Sequence, residues 1–137
     1  DDSAKELEEQ RSAAYSALSK ATLQGNWSDA ISALSQLPGK DSAQSQAIKV
    51  LLDAANAQSR LNISGLSIDE SIANLAKVNP NAATLFRVSI EYSKGNGDGA
   101  VKAFSKFPMG GVLEQYRSAL KRELQNSFPD DWRRYNN

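Results

Sequence analysis

One stretch of fourteen residues occurs twice, and that recurrence limits what the chain can become. Residues 25–38, GNWSDAISALSQLP, return seventy positions later at 95–108 as GNGDGAVKAFSKFP. Gly25/Gly95, Asn26/Asn96, Ala30/Ala100, Ala33/Ala103, Ser35/Ser105 and Pro38/Pro108 are identical, while Ile31/Val101, Leu34/Phe104 and Leu37/Phe107 exchange one apolar side chain for another. Glycine is suited to ending a preceding helix in the left-handed region, and asparagine to capping the next one. The apolar positions then follow helical spacing up to a proline that stops the segment. A helix this short, apolar along one side, has to be buried by a partner. The same unit made twice therefore points to stacked helical hairpins.

The remaining segments supply the partners. Leu7, Ala14, Leu18 and Ala21 predict a helix over 2–24, with acidic residues at its positive end. A turn at Gly39-Lys40-Asp41-Ser42 leads to a third helix over 42–61, carrying Ile48, Leu51, Leu52, Ala55 and Leu61 on or near one face. Ser67 and Glu70 form a capping-box pattern ahead of Ile68, Ile72, Leu75 and Val78. Asn79-Pro80 ends that helix and opens a fifth, in which Leu85, Phe86, Val88, Ile90 and Tyr92 are apolar enough to be covered from two sides near the middle of the core. The turn 95–99 precedes a short helix over 100–107, and Pro108-Met109-Gly110-Gly111 precedes a last one over 112–127 with Leu113, Tyr116, Leu120 and Leu124 in line. The expected fold is all-α: about seven helices, as three antiparallel hairpins and a C-terminal capping helix, forming one domain over 1–127. The tail 128–137, FPDDWRRYNN, is too polar and short to fold alone, but Phe128, Trp132 and Tyr135 can anchor it to the body or to a partner.

Composition narrows the function. Sixteen basic residues balance sixteen acidic ones, so no net field gathers nucleic acid. No stretch approaches the ~20 apolar residues of a membrane span. Cysteine and histidine are both missing, which removes disulfides, thiolate metal sites and the side chain most used as a base near neutral pH. The start at Asp1, without methionine, suggests a trimmed secretory precursor or an excised segment, and an extracytoplasmic location, periplasmic or secreted, is the expectation. Asn26-Trp27-Ser28 and Asn62-Ile63-Ser64 match a glycan-acceptor pattern that is common by chance.

A third version of the unit lies between the two strong copies: Ile68, Ser71, Leu75 and Val78 stand where Trp27, Ala30, Leu34 and Leu37 do. Together these residues resemble the tetratricopeptide repeat family, whose paired helices recur about every 34 residues. Gly25, Trp27, Ala30, Leu34 and Leu37 follow the order of that family's second helix, with leucine at the last place where the family prefers alanine. In the third copy Gly95, Ala100, Phe104 and Phe107 fit, and Gly97 replaces the aromatic. The resemblance covers about 12–107 and implies a right-handed superhelix whose first helices line a concave groove for an extended peptide or partner helix. Carried over position by position, that groove would be Tyr15 and Ser19, then Asp53, Asn56 and Arg60, then Leu85, Ser89 and Tyr92. An irregular helical bundle whose hairpins share punctuation by convergence is the alternative.

Catalytic patterns do not assemble. The turn 95–99 lacks the Lys-Ser/Thr ending of a phosphate loop and the flanking carboxylates of a calcium loop. The acidic pairs Asp1-Asp2, Glu8-Glu9, Asp69-Glu70 and Asp130-Asp131 are neighbours that point apart on a helix, and the Ser-Lys neighbours at 19–20, 93–94 and 105–106 do not converge either. Trp27 is expected to pack between hairpins. Trp132, Arg133, Arg134 and Tyr135 have the aromatic and arginine mixture of a binding hot spot, which a docked tail would share. The expectation is a non-enzymatic protein-interaction module without metal or cofactor, binding another protein or a peptide, with no nucleic acid and no insertion into a membrane. The alternative is a secreted effector or immunity-type inhibitor acting through the loops 39–40, 62–65 and 95–99.

Overall fold

The computed structural model describes residues 2–38, 42–61 and 65–136, and every regular element among them is helical. The expectations placed on Asp1, on Gly39-Lys40-Asp41 and on Asn62-Ile63-Ser64 lie outside the described residues. In order come α1 (Asp2–Leu23), α2 (Trp27–Leu34), α3 (Ser42–Leu61), α4 (Ile68–Val78), α5 (Pro80–Ser93), α6 (Gly97–Phe104), α7 (Glu114–Ser127) and α8 (Pro129–Asn136), with a 3-10 turn at Gly111–Leu113 leading into α7.

The two strong copies take up one backbone. Gly25 and Gly95 have φ of 73° and 75°, a left-handed conformation that any side chain would strain. Each closes the helix before it in the same way. Gly25 N donates to Thr22 O and Asn26 N to Ala21 O, while Gly95 N donates to Tyr92 O and Asn96 N to Glu91 O, all at 2.9–3.1 Å. This pair of bonds is the Schellman arrangement, and it satisfies carbonyls that a helix end would leave open. α2 and α6 then occupy equivalent positions, and Ser35 and Ser105 both cap back onto the carbonyl three residues earlier at 2.6 Å. Ala30, Leu34, Ala100 and Phe104 are buried in corresponding places.

Their caps differ for a local reason. Asn96 accepts from Gly99 N at 3.0 Å because Glu91 holds its amide nitrogen at 2.6 Å. Ala21 stands at the equivalent place in the first copy, and Asn26 turns instead to the Gln24 side chain at 3.2 Å, making no side-chain cap bond.

α5 forms the middle of the core. The Asn79 side chain caps it by accepting from Ala82 N at 3.1 Å, Pro80 sits in its first turn, and Leu85, Phe86 and Val88 are buried. α5 packs against α1, α3, α4 and α6. α7 lies along α1, so the first and last long helices meet. Tyr116, Leu120 and Leu124 are fully buried in that contact and its surroundings.

Several expected positions turn out otherwise. Leu7 is exposed, since residues 2–10 of α1 all lie in solvent and shielding begins at Arg11. At ~1.5 Å per residue, α1 thus runs on for roughly 13 Å past its packed part. Ile68, Val78 and Leu61 are exposed because they sit at helix ends; of α4, Ser71 and Leu75 are buried and Ile72 packs half-buried against the core. α6 begins at Gly97 rather than at Ala100. The tail is helical: α8 docks on α6 and α7, which supply the burial that eight residues cannot provide alone.

Candidate functional site

The face expected to form an open groove is largely filled by the chain itself. Tyr15, Ser19, Leu85 and Ser89 are 3%, 0%, 1% and 5% exposed. The Tyr15 hydroxyl donates to Gln115 Oε1 of α7 at 3.0 Å and accepts from Gln44 Nε2 of α3 at 2.6 Å. Arg11 donates to the same Gln115 oxygen. Gln44 Oε1 in turn accepts from Tyr116 N at 3.0 Å, satisfying a backbone donor in the first turn of α7. Seven residues further along α1, Thr22 Oγ1 lies 2.7 Å from the Tyr116 hydroxyl. Ser19 and Ser89 bond back to the carbonyls of Ser16 and Phe86 within their own helices. Burial of these residues is therefore a correction to the open surface expected of them: α7 packed against α1 covers Tyr15, while Leu85 and Ser89 belong to α5, which is enclosed by α1, α3, α4 and α6.

Asp53, Asn56 and Arg60 keep to one side of α3. Asp53 and Arg60 are exposed and Asn56 is half-buried, with Asp53 paired to Lys49 at 2.7 Å. Tyr92 is half-buried; its hydroxyl bonds to Ser127 Oγ at 2.8 Å and its ring meets the Phe128 ring edge-on at 5.5 Å. In the tail, Trp132 packs on Phe104 at 6.2 Å between ring centres, and Tyr135 donates to Asp98 Oδ1 at 2.5 Å. That hydroxyl, with Lys102 and Arg134 nearby, holds the Asp98 carboxyl below its ordinary 3.8. Arg134 pairs with Asp98 and Asp131, and Arg133 with Asp130. The loop 95–99 is partly covered as well, with Gly97 buried beneath Phe128.

A concave site does remain, where the end of the first hairpin meets α3, α4 and α5. It is a cleft of about 340 Å³. Trp27 and Phe86 stack at its floor, ring centres 5.9 Å apart and planes 9° from parallel, each only 4% exposed. Ile68 and Ile90 form apolar walls, Ser59 and Ser93 bring hydroxyls, and Lys94 brings an ammonium at the end of α5. The only ion pair of Lys94 among the described residues is with Glu91, at 3.9 Å, and its side chain is 58% exposed. Of the positions expected from sequence, Ser89 alone reaches this cleft.

Sequence reading missed Ile68, Ile90, Ser59 and Lys94 as site residues, because they come from three different helices. One signal was present: Ile68 opens α4 beside a capping box, at the helix end where an apolar side chain is least easily covered. Chemically the cleft offers an aromatic floor, hydroxyls and one cation, and no carboxylate lines it. Among the described residues no group of three acidic side chains converges as metal ligands would, and no helix is long and apolar enough to cross a membrane. A comparison with protein-family models, with curated proteins and with solved structures finds no match for this chain.

Proposed function

We propose that this chain is a non-catalytic protein-interaction module, a stack of helical hairpins that receives one apolar side chain of a peptide or partner helix in the cleft over Trp27 and Phe86. The carrying observation is the cleft itself, whose volume of about 340 Å³ falls at the small end of the range for binding sites and whose floor is a rigid stacked pair. Trp27 and Phe86, each 4% exposed, make a fixed floor, and Ile68, 42% exposed, supplies the apolar surface that a partner would cover. Lys94 sets the charge at the rim. The partner segment is therefore one that places an aromatic or branched apolar side chain next to a carboxylate. The equivalence of α1–α2 with α5–α6 supports the repeat reading of the scaffold, and it makes the cleft a junction between repeats.

A random peptide display library panned against the full chain tests this reading. Enriched peptides should pair an apolar anchor with Asp or Glu, should perturb the amide resonances of Ile68, Ile90 and Lys94, and should be lost with Ile68→Arg, an exposed site whose change leaves the core alone. Peptides that bind equally well to the Ile68→Arg chain, or that map to other surfaces, would remove the cleft from consideration.

A further inference from the structure

The two strong copies of the repeat part company where α8 lands. The first has Trp27, the third Gly97. A Cβ on Gly97 would lie 2.6 Å from Phe128 Cδ1 and would also collide with the Asp131 carboxylate, so the space a tryptophan takes in one copy is taken in the other by the residues leading into α8. Side chains hold the rest of the segment. Trp132 lies on Phe104 with the Lys121 ammonium 5.8 Å from the Trp132 ring centre. Tyr135 reaches Asp98 with the Lys102 ammonium 5.3 Å from the Tyr135 ring centre, and Arg134 pairs with Asp98 at 3.4 Å. Phe128, Trp132 and Tyr135 are spaced as one stripe of a helix, and that stripe faces α6.

Eight residues do not stay helical unsupported, so α8 takes its order from the surface it covers, as a bound peptide does. Its covalent link is minimal. A single non-helical residue, Phe128 (φ −135°, ψ 63°), separates α7 from α8, and Pro129 prevents the helix from running through. We infer that the hollow at Gly97–Phe104 is a docking site for a short aromatic helix, and that its occupant in trans is the segment 128–135 of a second copy of this chain, exchanged reciprocally. Such an exchange repeats every contact already made within one chain and needs no new surface. The bend at Phe128-Pro129 decides between the two arrangements. Bent, it holds α8 at high local concentration over its own α6, and the chain is monomeric in dilute solution. Straightened, it carries α8 roughly 12 Å along the α7 axis, out of reach of its own hollow and available to another's.

Full-length variants test this by light scattering. Pro129→Ala, which lets α7 continue into α8, should double the measured mass as concentration rises, at concentrations where the unaltered chain is still at the monomer mass. Added to Pro129→Ala, either Gly97→Trp or Trp132→Ala should return the chain to monomer, the first by filling the hollow and the second by removing the anchor. Mixing those two variants should give a one-to-one dimer held by one docked tail instead of two, and so at higher concentration, since one supplies the intact tail and the other the intact hollow. The Trp27 copy shows that this backbone accepts tryptophan; if circular dichroism nevertheless shows helix loss, Gly97→Ala replaces it, since a Cβ alone collides. A Pro129→Ala chain that remains monomeric, a dimer that survives the change at Gly97, or a mixture that stays monomeric would overturn the inference.

Discussion

If α7 closes on α1, the hydroxyl of Tyr116 is trapped, and removing its partner has a calculable effect. Thr22 has one hydroxyl proton and gives it to Leu18 O at 2.8 Å, so across the 2.7 Å contact Tyr116 is the donor. Thr22→Val keeps the branched shape. Leu18 O retains the helical bond from the backbone of residue 22, so the main loss falls on Tyr116, which is fully buried. Leaving such a donor unsatisfied costs about 1–3 kcal/mol, whereas Tyr116→Phe alone, which removes a satisfied bond, costs about 0.5–1.5 kcal/mol. With both changes no polar group remains in the contact, and the double variant should be no less stable than Tyr116→Phe. Tyr116→Phe should therefore destabilise the normal chain and stabilise the Thr22→Val chain. Urea unfolding with a shared m-value measures this, and each kcal/mol corresponds to about 3–5 °C in Tm for a domain of this size. Equal effects of Tyr116→Phe in both backgrounds would refute the reasoning, because a hydroxyl open to water loses nothing when Thr22 is changed.

Two further outcomes follow from the same packing. Burial raises the Tyr116 phenol above its ordinary 10.0, so above pH 10 the unfolded chain releases a proton that the folded chain keeps. The folded state then binds more protons than the unfolded one, and this group's contribution to stability is complete below pH 10 and falls by about 1.4 kcal/mol per pH unit above it. The pH profile of unfolding for the normal chain minus that of Tyr116→Phe should show this slope. The repeat gives a second outcome: Asn96→Ala should cost about 1 kcal/mol and Asn26→Ala close to nothing, since only Asn96 bonds the first turn of its helix. Thermal unfolding of the two variants compares them directly, and equal losses would contradict the difference in capping.

The helices were legible because their signals are local. Gly25, Asn26 and Pro38 punctuate the first unit, Ser67 caps α4 by accepting from Glu70 N at 3.1 Å, and Asn79-Pro80 marks the start of α5, each within a few residues of its effect. α8 carried its signal too, in the spacing of Phe128, Trp132 and Tyr135, but eight residues with five charges or amides between them do not announce a helix without the surface that orders them. The closure of α7 on α1 was not legible. It depends on Gln115 meeting Tyr15 and on Tyr116 meeting Thr22, pairs separated by 100 and 94 positions, and no periodicity within either helix encodes that meeting. The identical asparagines of the two copies differ for the same kind of reason, since Glu91 and Ala21, five positions earlier, decide what each can bond.

This closure also bears on where the proposed partner would bind. To use the inner wall, meaning the face of α1 that carries Tyr15 and Ser19, a ligand would first have to lift α7 away, breaking the Tyr116–Thr22 and Tyr15–Gln115 bonds and uncovering Tyr116, Leu120 and Leu124. At about 1.5–3 kcal/mol per large apolar side chain returned to water, that opening costs roughly 6 kcal/mol before any contact is made. The competent state would then be populated at about one part in 10⁴, and the apparent affinity would fall by the same factor. The cleft over Trp27 and Phe86 requires no such opening, because its walls are already in place and Ile68 at its edge is already 42% exposed. A given set of contacts made there is therefore worth about four decades more in binding than the same set made on the inner wall. If the chain grips a peptide as proposed, the cleft over Trp27 and Phe86 is the surface where that grip needs no prior opening of the core.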